Sequence, residues 1–182
     1  MKLKDVAKIE SGKNKDRLDK KDLINQYTAE DALNDFYLMA NEIENSSNII
    51  TFDLYSKANS YNSRVISQKN LSKIILNQKM CKITVDKSKI SPYYLCYLLN
   101  EDDYIQKQKR LYTQGSFIER LKPSFLCNLK ILLPSLEKQK LIGELYVRSI
   151  YQNFLKKKLA DESLTQNKEL LRQFAKKAKS YE

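Results

Sequence analysis

The stretch Lys130-Ile131-Leu132-Leu133-Pro134-Ser135-Leu136-Glu137-Lys138-Gln139-Lys140 decides how the fold reads: a short apolar run stops at a proline and turns directly into a long, charged helix. No proline follows Pro134 and no glycine follows Gly143, so the helix is expected to run from Glu137 to about Lys179. That is on the order of 60 Å at ~1.5 Å per residue. Its apolar residues are periodic. Ile142, Tyr146, Ile150 and Phe154 recur every fourth position, and Leu155 and Leu159 follow. Leu164, Leu171 and Ala178 then repeat by heptads, with Ala160, Asn167 and Phe174 as companions. This is a coiled-coil stripe with a register shift near Lys156-Lys157-Lys158. The expected partner face is Ile142, Tyr146, Ile150, Phe154, Leu164, Asn167, Leu171 and Phe174, with Asn167 suited to fixing register. The competing reading, a helix folded back on its own head, leaves more stripe than a head of this size covers.

Working back from the proline, Asn128 to Leu133 reads as a strand returning to a sheet. Ile118 to Leu126 reads as a short amphipathic piece ended or kinked by Pro123, and Gly115-Ser116 as a break. Ile90-Ser91-Pro92 opens a helix, with Ser91 as cap, Pro92 in the first turn, and Tyr94, Leu95, Leu98 and Leu99 as the stripe to about Arg110. Asn48 to Tyr55, Arg64 to Ser67, Lys73 to Leu76 and Met80 to Val85 are β-branched and aromatic between polar turns, and read as successive strands. Glu30 to Met39 fits a short helix or a strand edge. Leu3, Val6, Ala7 and Ile9 make a short apolar start before the polar run Lys13 to Asp22. The expected fold class is α+β: a mainly antiparallel sheet with flanking helices in residues 1–135, then a long C-terminal coiled-coil helix in residues 136–182.

Thirty-three lysines and arginines against 22 acids give the 182 residues a net charge of +11, which suits a polyanionic partner. The sign is uneven. Glu30, Asp31, Asp35, Glu42, Glu44 and Asp53 form an acidic block that reads as a solvated face turned away from nucleic acid. Lys57, Arg64, Lys69, Lys73, Lys79, Lys82, Lys87 and Lys89 follow with Asp86 as the single acid among them, and a second basic block spans Lys107 to Lys158. One side of the molecule should be electropositive.

The absence of histidine removes the commonest general base and metal ligand, and three glycines leave no phosphate-cradling loop. No metal site and no cofactor are expected in this chain. Cys81, Cys96 and Cys127 lack paired metal-ligand spacing and read as reduced thiols in apolar settings. Asp5 with Asp19-Lys20-Lys21 is a chance likeness to a nuclease pattern, and Ser91-Pro92-Tyr93-Tyr94 is a helix start rather than an adenine-holding methyltransferase motif. No apolar run is long enough for a membrane span, and the amino terminus has no apolar core of a signal-peptide kind, so a cytoplasmic protein is expected.

Four segments carry a family resemblance: Leu3 to Gly12, Ile90 to Asn100, Gly115 to Leu121, and Ile131 to Lys140. In order and spacing, they resemble the target-recognition half of a type I restriction–modification specificity subunit of the HsdS type. Lys13 to Arg64 is too divergent to place. Family members usually hold two such halves, with two spacer helices packed antiparallel between methyltransferase subunits. The resemblance implies a non-catalytic, half-size DNA-recognition subunit that forms a homodimer through its helix, reads double-stranded DNA, and recruits DNA adenine methyltransferase subunits. S-adenosylmethionine would belong to that partner. It also implies phosphate contacts from Lys13, Lys15, Arg17, Lys69, Lys73, Lys107, Lys109 and Arg110, and base reading by Asn14, Arg64, Gln68, Asn70 and Gln114. Two other classes remain: a solo recognition domain acting as a regulatory protein on a helical partner, and a small nuclease, which the missing histidine disfavours.

Overall fold

The computed structural model describes residues 1–14, 18–19, 25–55, 63–73, 75–114 and 120–179. Strands β1 (Ala7–Ser11), β2 (Ile49–Asp53), β3 (Ser63–Val65) and β4 (Met80–Val85) form one antiparallel sheet in the order β1-β4-β2-β3. Strand β4 is central. It pairs Ala7 with Val85 through Ser11 with Cys81 on one side, and Ile49 with Thr84 through Asp53 with Met80 on the other. The helices are α1 (Ala29–Leu38), α2 (Pro92–Asn100), α3 (Asp103–Thr113), α4 (Pro123–Asn128) and α5 (Leu136–Lys179). The α+β class with a long terminal helix is therefore what the chain adopts.

The main core joins Ile50, Phe52, Ile83 and Val85 of the sheet to Leu95 and Leu99 of α2 and to Leu3 and Val6. A smaller cluster of Tyr27, Ala32, Ile66, Leu76 and Met80 forms a second apolar layer. Fully burying each large apolar side chain contributes about 1.5–3 kcal/mol, which is why the β-branched and aromatic runs hold as strands.

The structure decides between the alternatives in one sequence expectation and corrects several others, each for a reason visible in the backbone. The segment 30–39 is a helix because Thr28 and Asp31 form a reciprocal cap: the Asp31 N–H donates to Thr28 Oγ1 at 3.1 Å and the Thr28 N–H to Asp31 Oδ2 at 2.9 Å. The helix expected from Ser91 to Arg110 is two helices, because Asp102 restarts it by accepting the Ile105 N–H at 3.0 Å. Ser91 makes no side-chain cap.

Lys73 to Leu76 is no strand of the sheet, since the Ile75 and Leu76 carbonyls accept the N–H groups of Tyr27 and Lys13 instead. Nor does Asn128 to Leu133 return to the sheet. Leu129 O accepts the Leu3 N–H, and the Ile131 N–H donates to Met1 O, so this segment seals the amino terminus. The apolar start supplies β1, an edge strand of the sheet.

Helix α5 begins at Leu136, and its first part lies on its own body. Gln139, 2% exposed, sits among backbone groups. It accepts the Ser91 N–H at 3.1 Å and donates to Pro134 O at 2.9 Å and Lys89 O at 3.3 Å. Gly143 lets α5 touch α2, for a Cβ there would lie 2.6 Å from the Tyr94 nitrogen. Asn100 donates to the Tyr146 hydroxyl at 2.8 Å while its Oδ1 accepts from Ser63. Tyr37 of α1 stacks on Phe154 at 4.6 Å. So Ile142, Tyr146, Ile150 and Phe154, expected on a partner seam, pack instead against the chain's own core and α1. From Leu155 to Lys177 every residue is exposed, including Leu164 at 53%, Asn167, Leu171 at 68% and Phe174 at 69%.

Candidate nucleic-acid interface

Because β1 and β2 both run antiparallel to β4, the end of β1, the end of β2 and the start of β4 meet at one end of the sheet. A tight turn, Asn77-Gln78-Lys79-Met80, is built there. The Met80 N–H closes it on Asn77 O at 3.0 Å, and Asn77 Oδ1 accepts the Lys79 N–H at 2.8 Å. Gly12 and Lys13 run alongside, their N–H groups donating to Met80 O and Leu76 O. Only glycine fits at 12, since a Cβ would lie 1.9 Å from Asn77 O. Gln26 pairs with Ile75 on the far side.

Leu54 N–H donates to Lys79 O, and Leu121 N–H to Leu54 O, which brings Tyr55 and Arg120 to the same place. The Lys79 ammonium stands 5.9 Å from the Tyr55 ring centroid and the Arg120 guanidinium 5.4 Å from it. Tyr55, Lys79 and Arg120 are all exposed. An aromatic ring approached by two cations, beside a turn that carries two amide side chains, joins phosphate-binding charge to groups able to hydrogen-bond base edges.

Of the residues expected to touch DNA, the structure brings Lys13 and Asn14 to this turn. Lys15 and Arg17 lie outside the described residues. Lys107, Arg110 and Gln114 are exposed on or just after α3. Lys69 is exposed beside Asn70, and Gln68 is tied to the acidic block, its Nε2 donating to Asn45 O at 2.7 Å and its backbone N–H to Glu42 Oε2 at 2.8 Å. Lys73 pairs with Asp31 at 2.8 Å. Burial pushes the Asp31 carboxyl up, but the Lys73 and Thr28 hydrogen bonds outweigh it and hold it below the ordinary value.

Three expectations of surface position are corrected. Arg64 is 5% exposed because its guanidinium pairs with Asp53 across β3 and β2. Asn70 is 4% exposed and donates to buried Asp35 at 2.9 Å, whose other oxygen takes the Tyr27 hydroxyl at 2.8 Å. Asp35 is thereby removed from the solvated acidic face, and burial with that carboxylate raises the Tyr27 hydroxyl far above its ordinary range. Lys109 is 6% exposed; its ammonium donates to Leu99 O at the end of α2 and lies 5.2 Å from the Phe52 centroid. Burial pulls it down to about 8.

Sequence reasoning passed over Tyr55, Asn77, Gln78, Lys79 and Arg120. The signal available was the amide–amide–lysine turn directly before a strand. What no local pattern gives is the pairing of Tyr55 with Arg120, 65 positions apart, through an antiparallel bridge. It also passed over Leu141 and Leu145, which with Leu155 and Leu159 lie exposed on one side of α5, away from Gly143, Val147 and Ile150.

Among the described residues no cluster of His, Cys, Asp and Glu could hold a metal, and no helix is long and apolar enough to cross a membrane. Cys81 and Cys96 are buried free thiols, both pushed by burial up to about 12, and Cys127 is half-buried. No curated protein matches the chain. A family model, the type I restriction modification DNA specificity domain, matches residues 1–162, and with the antiparallel head, the basic sheet end and the long terminal helix in place the chain belongs to that family.

Proposed function

We propose that this chain is a half-size specificity subunit that reads a DNA half-site with the Asn77–Met80 turn and its neighbours, and recruits adenine methyltransferase subunits, as a homodimer formed through the distal part of α5. The observation that carries the reading part is the Tyr55 ring with the Lys79 and Arg120 cations 5.9 and 5.4 Å from its centroid, beside a turn that carries Asn77 and Gln78. Lys79 and Arg120 would contact phosphates, Asn77, Gln78 and Asn14 would face base edges, and S-adenosylmethionine would be held by the partner. Chemistry in this chain is not required.

The dimer part rests on α5. The 25 residues from Leu155 to Lys179 extend about 37 Å, bear Leu164, Leu171 and Phe174 exposed, and would be marginal as a lone helix in water. Selection from a random duplex pool should return a split palindrome if two copies read together. Replacing Lys79 or Arg120 by alanine should weaken binding to all duplexes and reduce the salt slope by about 1 each. An unchanged slope in both variants would remove the turn from the interface. Lysines at Leu164, Leu171 and Phe174 should convert a dimer to a monomer in sedimentation, and a monomeric wild type would end the homodimer claim.

A further inference from the structure

Beside the Asn77–Met80 turn a half-open cleft of about 490 Å³ runs between α1 and the sheet end, within the ~300–1,000 Å³ of small-molecule sites. Its walls are apolar and aromatic: Leu33, Phe36 and Tyr37 from α1, and Met80 opposite. Half-buried Asp53, paired with buried Arg64, adds a carboxylate to its lining. Asn77 and Lys79 belong both to this cleft and to the turn, so the cleft opens onto the surface assigned to DNA. We propose that the cleft receives one unstacked base of the bound strand, and that it selects a base whose Watson–Crick edge sets an exocyclic amino group beside a ring-nitrogen acceptor, adenine or cytosine. This rests on the DNA reading of the turn.

The selection follows from which polar atoms are already engaged. Asp53 Oδ2 takes the Arg64 guanidinium, which leaves Oδ1 as an acceptor. Asn77 Oδ1 accepts the Lys79 N–H, which leaves Nδ2 as a donor. An acceptor and a donor on one cleft match an amino group and the ring nitrogen next to it, as on adenine or cytosine. Thymine offers a carbonyl where the amino group would be and would set it against the Asp53 carboxylate. Exposed Leu33 and half-buried Tyr37, one face of which is taken by Phe154, supply the apolar surface against which an extruded base would pack, above buried Phe36 and Met80, and Lys79 lines the same cleft for the flanking phosphate.

The test titrates the full chain with DNA hairpins that differ at one stem position: fully paired, or carrying an unpaired adenine, cytosine or thymine. Unpaired adenine or cytosine should raise affinity about tenfold over both the paired hairpin and unpaired thymine, the worth of one good polar pair. Leu33→Trp, at a 53% exposed position where the larger ring reaches into the cleft, should erase that preference and leave affinity for the paired hairpin unchanged. Equal affinity of the wild type for all four hairpins overturns the cleft while leaving the turn intact. Binding to none of them overturns the DNA reading and the cleft together. Free dAMP binding as tightly as the adenine hairpin, with no hairpin preference, would assign the cleft to a mononucleotide and overturn the proposal.

Discussion

Lys109 is a buried cation whose removal should make the protein more stable, and in a pH-dependent way. Its ammonium is 6% exposed, under Phe52 and against the carbonyl of Leu99. Burial, opposed only by Glu101, brings it from 10.5 to about 8. In the unfolded chain the same lysine keeps its proton to about 10.4. Between pH 8 and 10.4 the unfolded state therefore binds more protons than the native state, and this residue makes stability rise with pH. Below pH 8 it is charged in both states and the cost of burying that charge is fully present, about 3 kcal/mol from that displacement.

Lys109→Met keeps the stem packed and removes the charge. The carbonyl it caps is not orphaned, because Gln106 Nε2 also donates to Leu99 O at 3.1 Å. The expected gain at pH 7 is therefore about 1–3 kcal/mol after loss of one hydrogen bond. Urea unfolding of both proteins at pH 7, 8, 9 and 10 reads the difference. Cys81, Cys96 and Tyr27 ionise more readily unfolded than folded and lower stability at high pH, but equally in both proteins. The advantage of the variant should shrink steadily from pH 8 to 10. A difference independent of pH, or a variant less stable at pH 7, would refute the burial argument.

The other predictions concern the root of α5. Gly143→Ala places a Cβ 2.6 Å from the Tyr94 backbone nitrogen, which no side-chain motion relieves. It should cost about 1–3 kcal/mol in thermal or urea unfolding despite alanine's better helix propensity; a stabilised variant would show that α5 and α2 are not in contact. Gln139→Ala leaves the buried Ser91 N–H without its acceptor and should cost about 1–3 kcal/mol, measured in the same way, whereas the exposed neighbour Lys138→Ala should change stability by less than about 0.5 kcal/mol.

What the sequence made legible was whatever local chemistry decides. Three of its five expected strands and the start of α5 at the Pro134-Ser135-Leu136 clause follow from β-branched runs and a proline stop. Of the other two, Lys73 to Leu76 has the right residue types but its carbonyls are claimed by Tyr27 and Lys13, and the backbone groups of Asn128 to Leu133 are claimed by Leu3 and Met1, which composition does not reveal. The candidate site was only half legible for a similar reason. Charge marks Arg64 and Lys109 as well as it marks Lys79 and Arg120. Burial alone separates them, and it is set by partners 11 positions away for Arg64 and 10 for Lys109. On α5, spacing by four correctly found an apolar face in Ile142, Tyr146, Ile150 and Phe154, yet periodicity does not say whose core that face enters.

In the proposed dimer, the anchored root of α5 is what connects recognition to assembly. Had the whole of α5 been a free stripe, the reading surface and the dimer seam would be joined by a helix able to swing about Pro134. Instead its first nineteen residues are fastened at Gln139, Gly143, Tyr146 and Phe154 to Ser91, α2 and α1. The direction of the protruding segment is thus fixed relative to the sheet end that carries Tyr55, Lys79 and Arg120. In the proposed dimer, half-site spacing would then be set by the root of the helix and base choice by the turn. These separate under mutation: selection from a random duplex pool with Gln139→Ala should blur the spacing between half-sites while each half-site keeps its bases. Lost base preference with unchanged spacing would reverse that assignment of roles.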